Sequence, residues 1–110
     1  MNVSFEEIGR MAVTFASIGC EAGQVCKVSE KGTVAPCAAG EKFCGVVEGV
    51  RGDYAAVQME GFAQVGISGS VGLGYVNLCA DGLGGVKAGT GREYLVVSVD
   101  EADHSAIIKL

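Results

Sequence analysis

Apolar and polar residues alternate along this chain in short runs, and a glycine-bearing turn follows most of them. A period of two belongs to strands with one buried face, whereas a helix buries residues three and four apart. The pattern is clearest over residues 57–68. There Val57, Met59, Ala63, Val65 and Ile67 share one parity, and Gln58, Glu60, Gln64 and Ser68 share the other. Phe62 breaks the parity beside Gly61, which predicts a β-bulge at that point. Met11, Val13 and Phe15 mark a strand over 11–16, and further strands are expected at 24–29, 43–50, 75–80, 95–100 and 106–110.

The turn chemistry supports this reading. Arg51-Gly52-Asp53 separates two strands, Asp81-Gly82 with Gly84-Gly85 reads as a hairpin turn, and residues 101–105 form a polar connection of hairpin length. The 18 glycines stand against one proline and follow no three-residue period, so neither long helices nor a collagen helix is expected. The resulting fold class is all-β: a small single-domain barrel or sandwich of seven or so short antiparallel strands.

At 110 residues the chain has room for one core, read here as a single β domain over 11–110 preceded by an N-terminal arm at 1–10. A faint internal echo runs through it. Gly23, Val25, Gly40, Phe43 and Val46 match Gly74, Val76, Gly91, Tyr94 and Val97 at a constant offset of 51, and both stretches read strand, turn, short strand, turn, strand. Such an offset suggests two similar β units around one core.

Lys+Arg 8 against Asp+Glu 13 gives a formal charge of -5 with no basic stripe, which argues against nucleic acid as a partner. No stretch approaches the roughly 18 consecutive apolar residues of a membrane span, and Glu6 and Glu7 interrupt the opening residues. The expectation is therefore a soluble chain without a secretory leader. An odd count of five cysteines fits a reducing cytoplasm better than a disulfide scaffold.

Several residues invite chemistry. Cys20 and Cys26 have five residues between them, and Cys37 and Cys44 have six. Common zinc sites use two to four and thioredoxin-like motifs use two, so reduced cysteines acting as small hydrophobes are the favoured reading and a zinc or redox protein a distant one. His104, the single histidine, lies in an acidic turn and reads as a solvated loop residue rather than a catalytic base. Gly66-Ile67-Ser68-Gly69-Ser70 resembles a nucleophile elbow only superficially, since no helix follows it. Gly72-Leu73-Gly74 and Gly82-Leu83-Gly84-Gly85 lack the partners of a phosphate-binding loop. No catalytic, metal-ligating or cofactor-binding residue is assigned. Lys31, placed in a turn between two strands, is where a lipoyl or biotinyl carrier would display its modified lysine, but the usual flanking residues are missing.

The order of segments Ala22-Gly23-Gln24-Val25, Gly32-Thr33-Val34, Ala39-Gly40-Glu41-Lys42-Phe43-Cys44-Gly45-Val46-Val47 and Ala56-Val57-Gln58-Met59-Glu60-Gly61-Phe62-Ala63 resembles bacteriophage head decoration, or capsid cement, proteins. The likeness continues through Gly74-Tyr75-Val76-Asn77-Leu78, Asp81-Gly82 and Gly91-Arg92-Glu93-Tyr94-Leu95-Val96-Val97. It implies a phage- or prophage-encoded β-rich virion protein without enzymatic activity or cofactor. Such a protein binds the major capsid protein on the outside of the shell, commonly as a homotrimer, after synthesis in the host cytoplasm. Phe5 and Ile8, apolar residues ahead of the first strand, are the expected shell anchors, and Phe62 is expected either at a subunit contact or in the core.

Overall fold

Val, Ile, Thr and aromatic residues in alternation form strands because their branched or flat side chains pack well on a pleated surface. The computed structural model describes residues 11–110, and ten strands with no helix occupy them. The first five are β1 (Met11–Ser17), β2 (Val25–Glu30), β3 (Thr33–Pro36), β4 (Gly45–Arg51) and β5 (Tyr54–Glu60). The second five are β6 (Phe62–Gly66), β7 (Gly74–Ala80), β8 (Val86–Ala88), β9 (Arg92–Asp100) and β10 (Ser105–Lys109). No helix among the described residues is long and apolar enough to cross a membrane. The expected arm at 1–10 lies outside the described residues.

The first five strands close into a barrel in the order β1-β3-β2-β4-β5, with β5 returning to β1. The second five form a sheet in the order β6-β10-β9-β7-β8. A single parallel bridge, Ile67 to Val86, joins β8 to the residue that follows β6 and brings that sheet round on itself. Read as a ring, the second set repeats the first strand for strand, β6 standing for β1 and β10 for β5. The directions repeat too. β1 and β3 run parallel, as do the two sides of the Ile67 bridge, and every other pair is antiparallel. The echo at offset 51 is thus the trace of two units with one topology.

Four expectations change. The long strand over 57–68 is two strands, because Gly61 takes φ +94° and turns the chain from β5 in the barrel into β6 in the second sheet. Side chains disfavour that backbone conformation, so glycine makes the corner where a bulge was expected. One ladder irregularity lies just before it, where Met11 and Ala12 pair with Glu60 and Gln58 and leave Met59 as the extra residue, and another falls between Val47 and Gly49. The alternation nevertheless survives the corner: Val57 and Met59 face the barrel core, and Ala63, Val65 and Ile67 face the core of the second sheet.

Gln58 also departs from its expected solvent-facing side. It is buried, and its Nε2 donates to the carbonyls of Glu60 at 3.1 Å and Phe62 at 2.9 Å, which brace the corner from inside. The strand count rises from about seven to ten because 57–68 divides in two and because β3 and β8 span only four and three residues, too short for a periodicity to register. Closure, finally, is not wholly antiparallel, since the β1–β3 seam is parallel.

Two interiors result. The barrel holds a small one of Cys20, Cys26, Val34, Val47, Ala55 and Val57. The larger is built on Leu78, Val86, Val96 and Ile108 of the second sheet and draws in Val25, Cys37, Phe43 and Val46 from the first half. The connection between β3 and β4 supplies most of that seam. Gly40 N–H donates to the Ala80 carbonyl and Ala80 N–H to the Glu41 carbonyl, both at 2.8 Å. Two residues on, the buried Phe43 ring stacks on Tyr94 with centroids 4.8 Å apart. Phe43 and Tyr94 are partners in the internal echo, so equivalent positions of the two units meet each other, as in a self-complementary interface.

The same connection carries a partly exposed ion pair. Lys27 Nζ donates to both Glu41 carboxylate oxygens, at 2.8 and 2.7 Å, and the Ala38 N–H donates to Oε1 at 2.6 Å. The Lys27 bond, and after it the Ala38 bond, hold the Glu41 carboxyl below its ordinary value of 4.5. A carboxyl with a depressed folded-state pKa stabilises the fold above the unfolded value and loses that contribution as pH falls through the folded one. Urea midpoints measured from neutral pH down to about pH 3 should therefore fall less steeply for Glu41→Gln than for the parent chain. Parallel curves would show that the pair does not contribute.

Candidate interaction surface

The residues singled out for chemistry do not gather. His104 is exposed in the β9–β10 turn with φ +51° and contributes its carbonyl to the Ile67 N–H at 2.8 Å. It borders a shallow depression with Ser70 and Glu101, but among the described residues no side-chain hydrogen bond joins the histidine to a serine or cysteine. Ser68 instead donates to Asp81 Oδ2 at 2.6 Å, and Asp81 Oδ1 accepts the N–H groups of Leu83 and Gly85. That carboxylate ties the β6–β7 connection to the β7–β8 hairpin turn, a structural task. Among the described residues no three His, Cys, Asp or Glu side chains are placed to share a metal ion.

Lys31 occupies, with Gly32 at φ +69°, the two-residue turn of the β2–β3 hairpin, and it is exposed. Phe62 opens β6 opposite Lys109, half-buried, with its carbonyl taken by Gln58. Phe5 and Ile8 lie outside the described residues.

The feature that sequence reasoning missed is the free half of β1. β5 pairs with one edge of this strand from Met11 to Ala16, while β3 meets the other edge only at Ala16 and Ser17. Among the described residues nothing pairs with that second edge over Met11, Ala12, Val13, Thr14 and Phe15. The seven residues of β1, Met-Ala-Val-Thr-Phe-Ala-Ser, carry neither charge nor proline, the usual devices that stop an open edge from recruiting another strand. Met11 is 45% exposed and Val13 37%.

A shallow groove adjoins it. Thr14 lies opposite Ala56, and Ala56 opposite Gly49, so three small residues cross β1, β5 and β4 in one row. The next row, Ala16, Tyr54 and Arg51, forms a wall, and Tyr54 is 60% exposed. Nothing lies within 4 Å of where a Cβ on Gly49 would stand, which leaves the floor open. The unpaired backbone suits the addition of an extended strand from another molecule on the β3 side of β1, while the groove lies on its β5 side. Only the pairing partners disclose it; alternation in the sequence says which face is buried and nothing about which edge is covered.

No protein-family model matches this chain, and no curated protein sequence is significantly similar to it.

Proposed function

We propose that this chain is a non-enzymatic structural protein of a phage virion that binds the outer surface of an assembled major capsid protein shell, as an oligomer. The observation that carries the reading is the uncharged edge of β1, which no described residue pairs with over Met11 to Phe15 and which begins directly after the ten residues bearing Phe5 and Ile8. The segment order that resembles capsid cement proteins supplies the partner. A strand edge and a short apolar segment give a modest contact, and a repeating lattice multiplies a modest contact through avidity. The shell is the occupant assigned to this edge.

The test uses empty shells assembled from the major capsid protein of the same genome, mixed with the purified chain and sedimented. Saturable co-sedimentation is expected. Ala12→Lys/Thr14→Lys, which charges two exposed edge positions, should weaken it by roughly tenfold, about 1.4 kcal/mol, with the thermal midpoint preserved. A chain that stays in the supernatant at every concentration refutes the structural role, whereas undiminished binding by the charged variant refutes only the β1 assignment.

A second reading rests on Lys31 at the tip of its hairpin, the position of a carrier's modified lysine. Intact mass after co-expression with lipoyl or biotinyl ligases separates the two. An increment on Lys31 would establish the carrier, and an unmodified mass would remove it.

A further inference from the structure

Four of the five cysteines lie in the first half, and two of them are bonded to each other. Cys26 stands on β2 opposite Gly45 at the start of β4, and the N–H of the neighbouring Cys44 donates to the Cys26 carbonyl at 2.8 Å. A direct backbone hydrogen bond of this kind brings two Cα atoms to roughly the 5–6 Å at which disulfides form. Their side chains share the barrel interior, Cys26 within its core and Cys44 packed against it. Both are free thiols, and they differ in access: Cys26 is fully buried, and Cys44 is half-buried.

That asymmetry divides their roles. The Cys26 thiol beside it draws the Cys44 pKa down to about 7, which favours the thiolate at Cys44. The Cys44 neighbour, reinforced by burial, holds the proton on Cys26, whose S–H donates to the Gly45 carbonyl at 3.8 Å. The other cysteines have no such arrangement. Burial, with Glu41 close by, pushes the Cys37 thiol up to about 11, and Cys79 is buried in the second half. The thiolate is the reactive form of cysteine, so Cys44 combines access with nucleophilicity.

We propose that Cys44 and Cys26 form a dithiol–disulfide pair that exchanges with small-molecule disulfides, Cys44 reacting first and Cys26 resolving. In the first step the Cys44 thiolate attacks one sulfur of glutathione disulfide, and glutathione leaves as a thiolate that takes a proton from water. Capping Cys44 removes the negative neighbour that kept the proton on Cys26. Cys26 then attacks the Cys44 sulfur and expels the second glutathione as a thiolate, which takes up the proton that Cys26 releases. The protein loses two protons and two electrons, and one glutathione disulfide becomes two glutathiones. The bond formed clamps β2 to the start of β4 inside the barrel. The pair operates whatever the chain binds.

The test treats the reduced full-length chain with glutathione disulfide, quenches with acid and maps the products by mass after cleavage at lysine and glutamate, which separates Cys20, Cys26, Cys37 and Cys44. The expected product is two hydrogens lighter and joins the Cys26 and Cys44 peptides. Cys44 should be modified roughly tenfold faster than any other cysteine of the folded chain. Cys26→Ser should retain one glutathione on Cys44, Cys44→Ser should leave Cys26 unreacted, and Cys79→Ser should behave as the parent. The parent's own map carries the result even where a variant folds poorly. First modification at a different cysteine, or a folded chain inert at concentrations that oxidise it in urea, overturns the proposal.

Discussion

Replacing Phe43 with alanine is expected to remove about 3–5 kcal/mol from the free energy of unfolding, the usual cost of deleting a buried aromatic side chain. Domains of this size have only about 5–15 kcal/mol in total, so the variant should be close to its folding threshold at room temperature. The size of the effect follows from where Phe43 sits. It leaves the connection after β3 and enters the core of the other half, where its ring lies 9° from parallel with Tyr94 and the Arg92 guanidinium covers the far side of the pair, 5.1 Å from the tyrosine centroid. The Tyr94 hydroxyl closes the contact by donating to the Phe43 carbonyl at 3.1 Å. Tyr94→Phe keeps the ring and loses only that bond, so it should cost about 1 kcal/mol. Urea unfolding followed by fluorescence and by circular dichroism checks both values. Because the larger core takes residues from both units, the two probes should report one transition in the parent. A parent transition that splits in two, or a Phe43→Ala cost below about 1 kcal/mol, would show that the halves are not fastened at this stack.

Gly45→Ala should be the most damaging single-methyl change in the barrel. A Cβ at Gly45 would overlap the Gln58 carbonyl oxygen and stand 2.8 Å from Val57 Cγ1, both fixed in the paired strand β5. Nothing flexible can move aside, so the strands must separate, at a cost of about 1–3 kcal/mol or more. Gly49→Ala, four residues along the same strand, meets open space without a positive φ and should shift stability by no more than about 0.5 kcal/mol, upward if at all. The contrast is the measurement. Equal midpoints for the two alanine variants would mean that β4 and β5 do not approach as closely as the register places them.

How much of this was legible beforehand differs from residue to residue. The alternation of Val57, Ala63, Val65 and Ile67 named buried positions correctly, because a strand's side chains point by parity whatever sheet it joins. Gly61 was legible as an irregularity but not as a corner, since a bulge and a change of sheet both call for glycine in a strand. Gln58 carries a polar side chain on the nominally outer parity and is nevertheless buried, because two carbonyls freed by the corner need a donor. The cysteine spacings matched neither a zinc motif nor a thioredoxin-like one. They were silent about Cys26 and Cys44, which the β2–β4 pairing joins across 18 positions of sequence.

The residue string alone determined the all-β class and most strand positions and only suggested the duplication, which the matching strand orders then showed. Parity, turn glycines and a repeat at offset 51 are local or self-referential properties that need no third dimension. Tertiary structure decided which strands are neighbours. From that came the parallel seam of the barrel, the edge of β1 left unpaired among the described residues, the meeting of Phe43 with Tyr94 and the backbone bond that joins Cys44 to Cys26. The physical reason is that hydrogen bonds between strands use only backbone groups, which every residue type carries alike, so which strand pairs with which is settled by the packing of whole sheets.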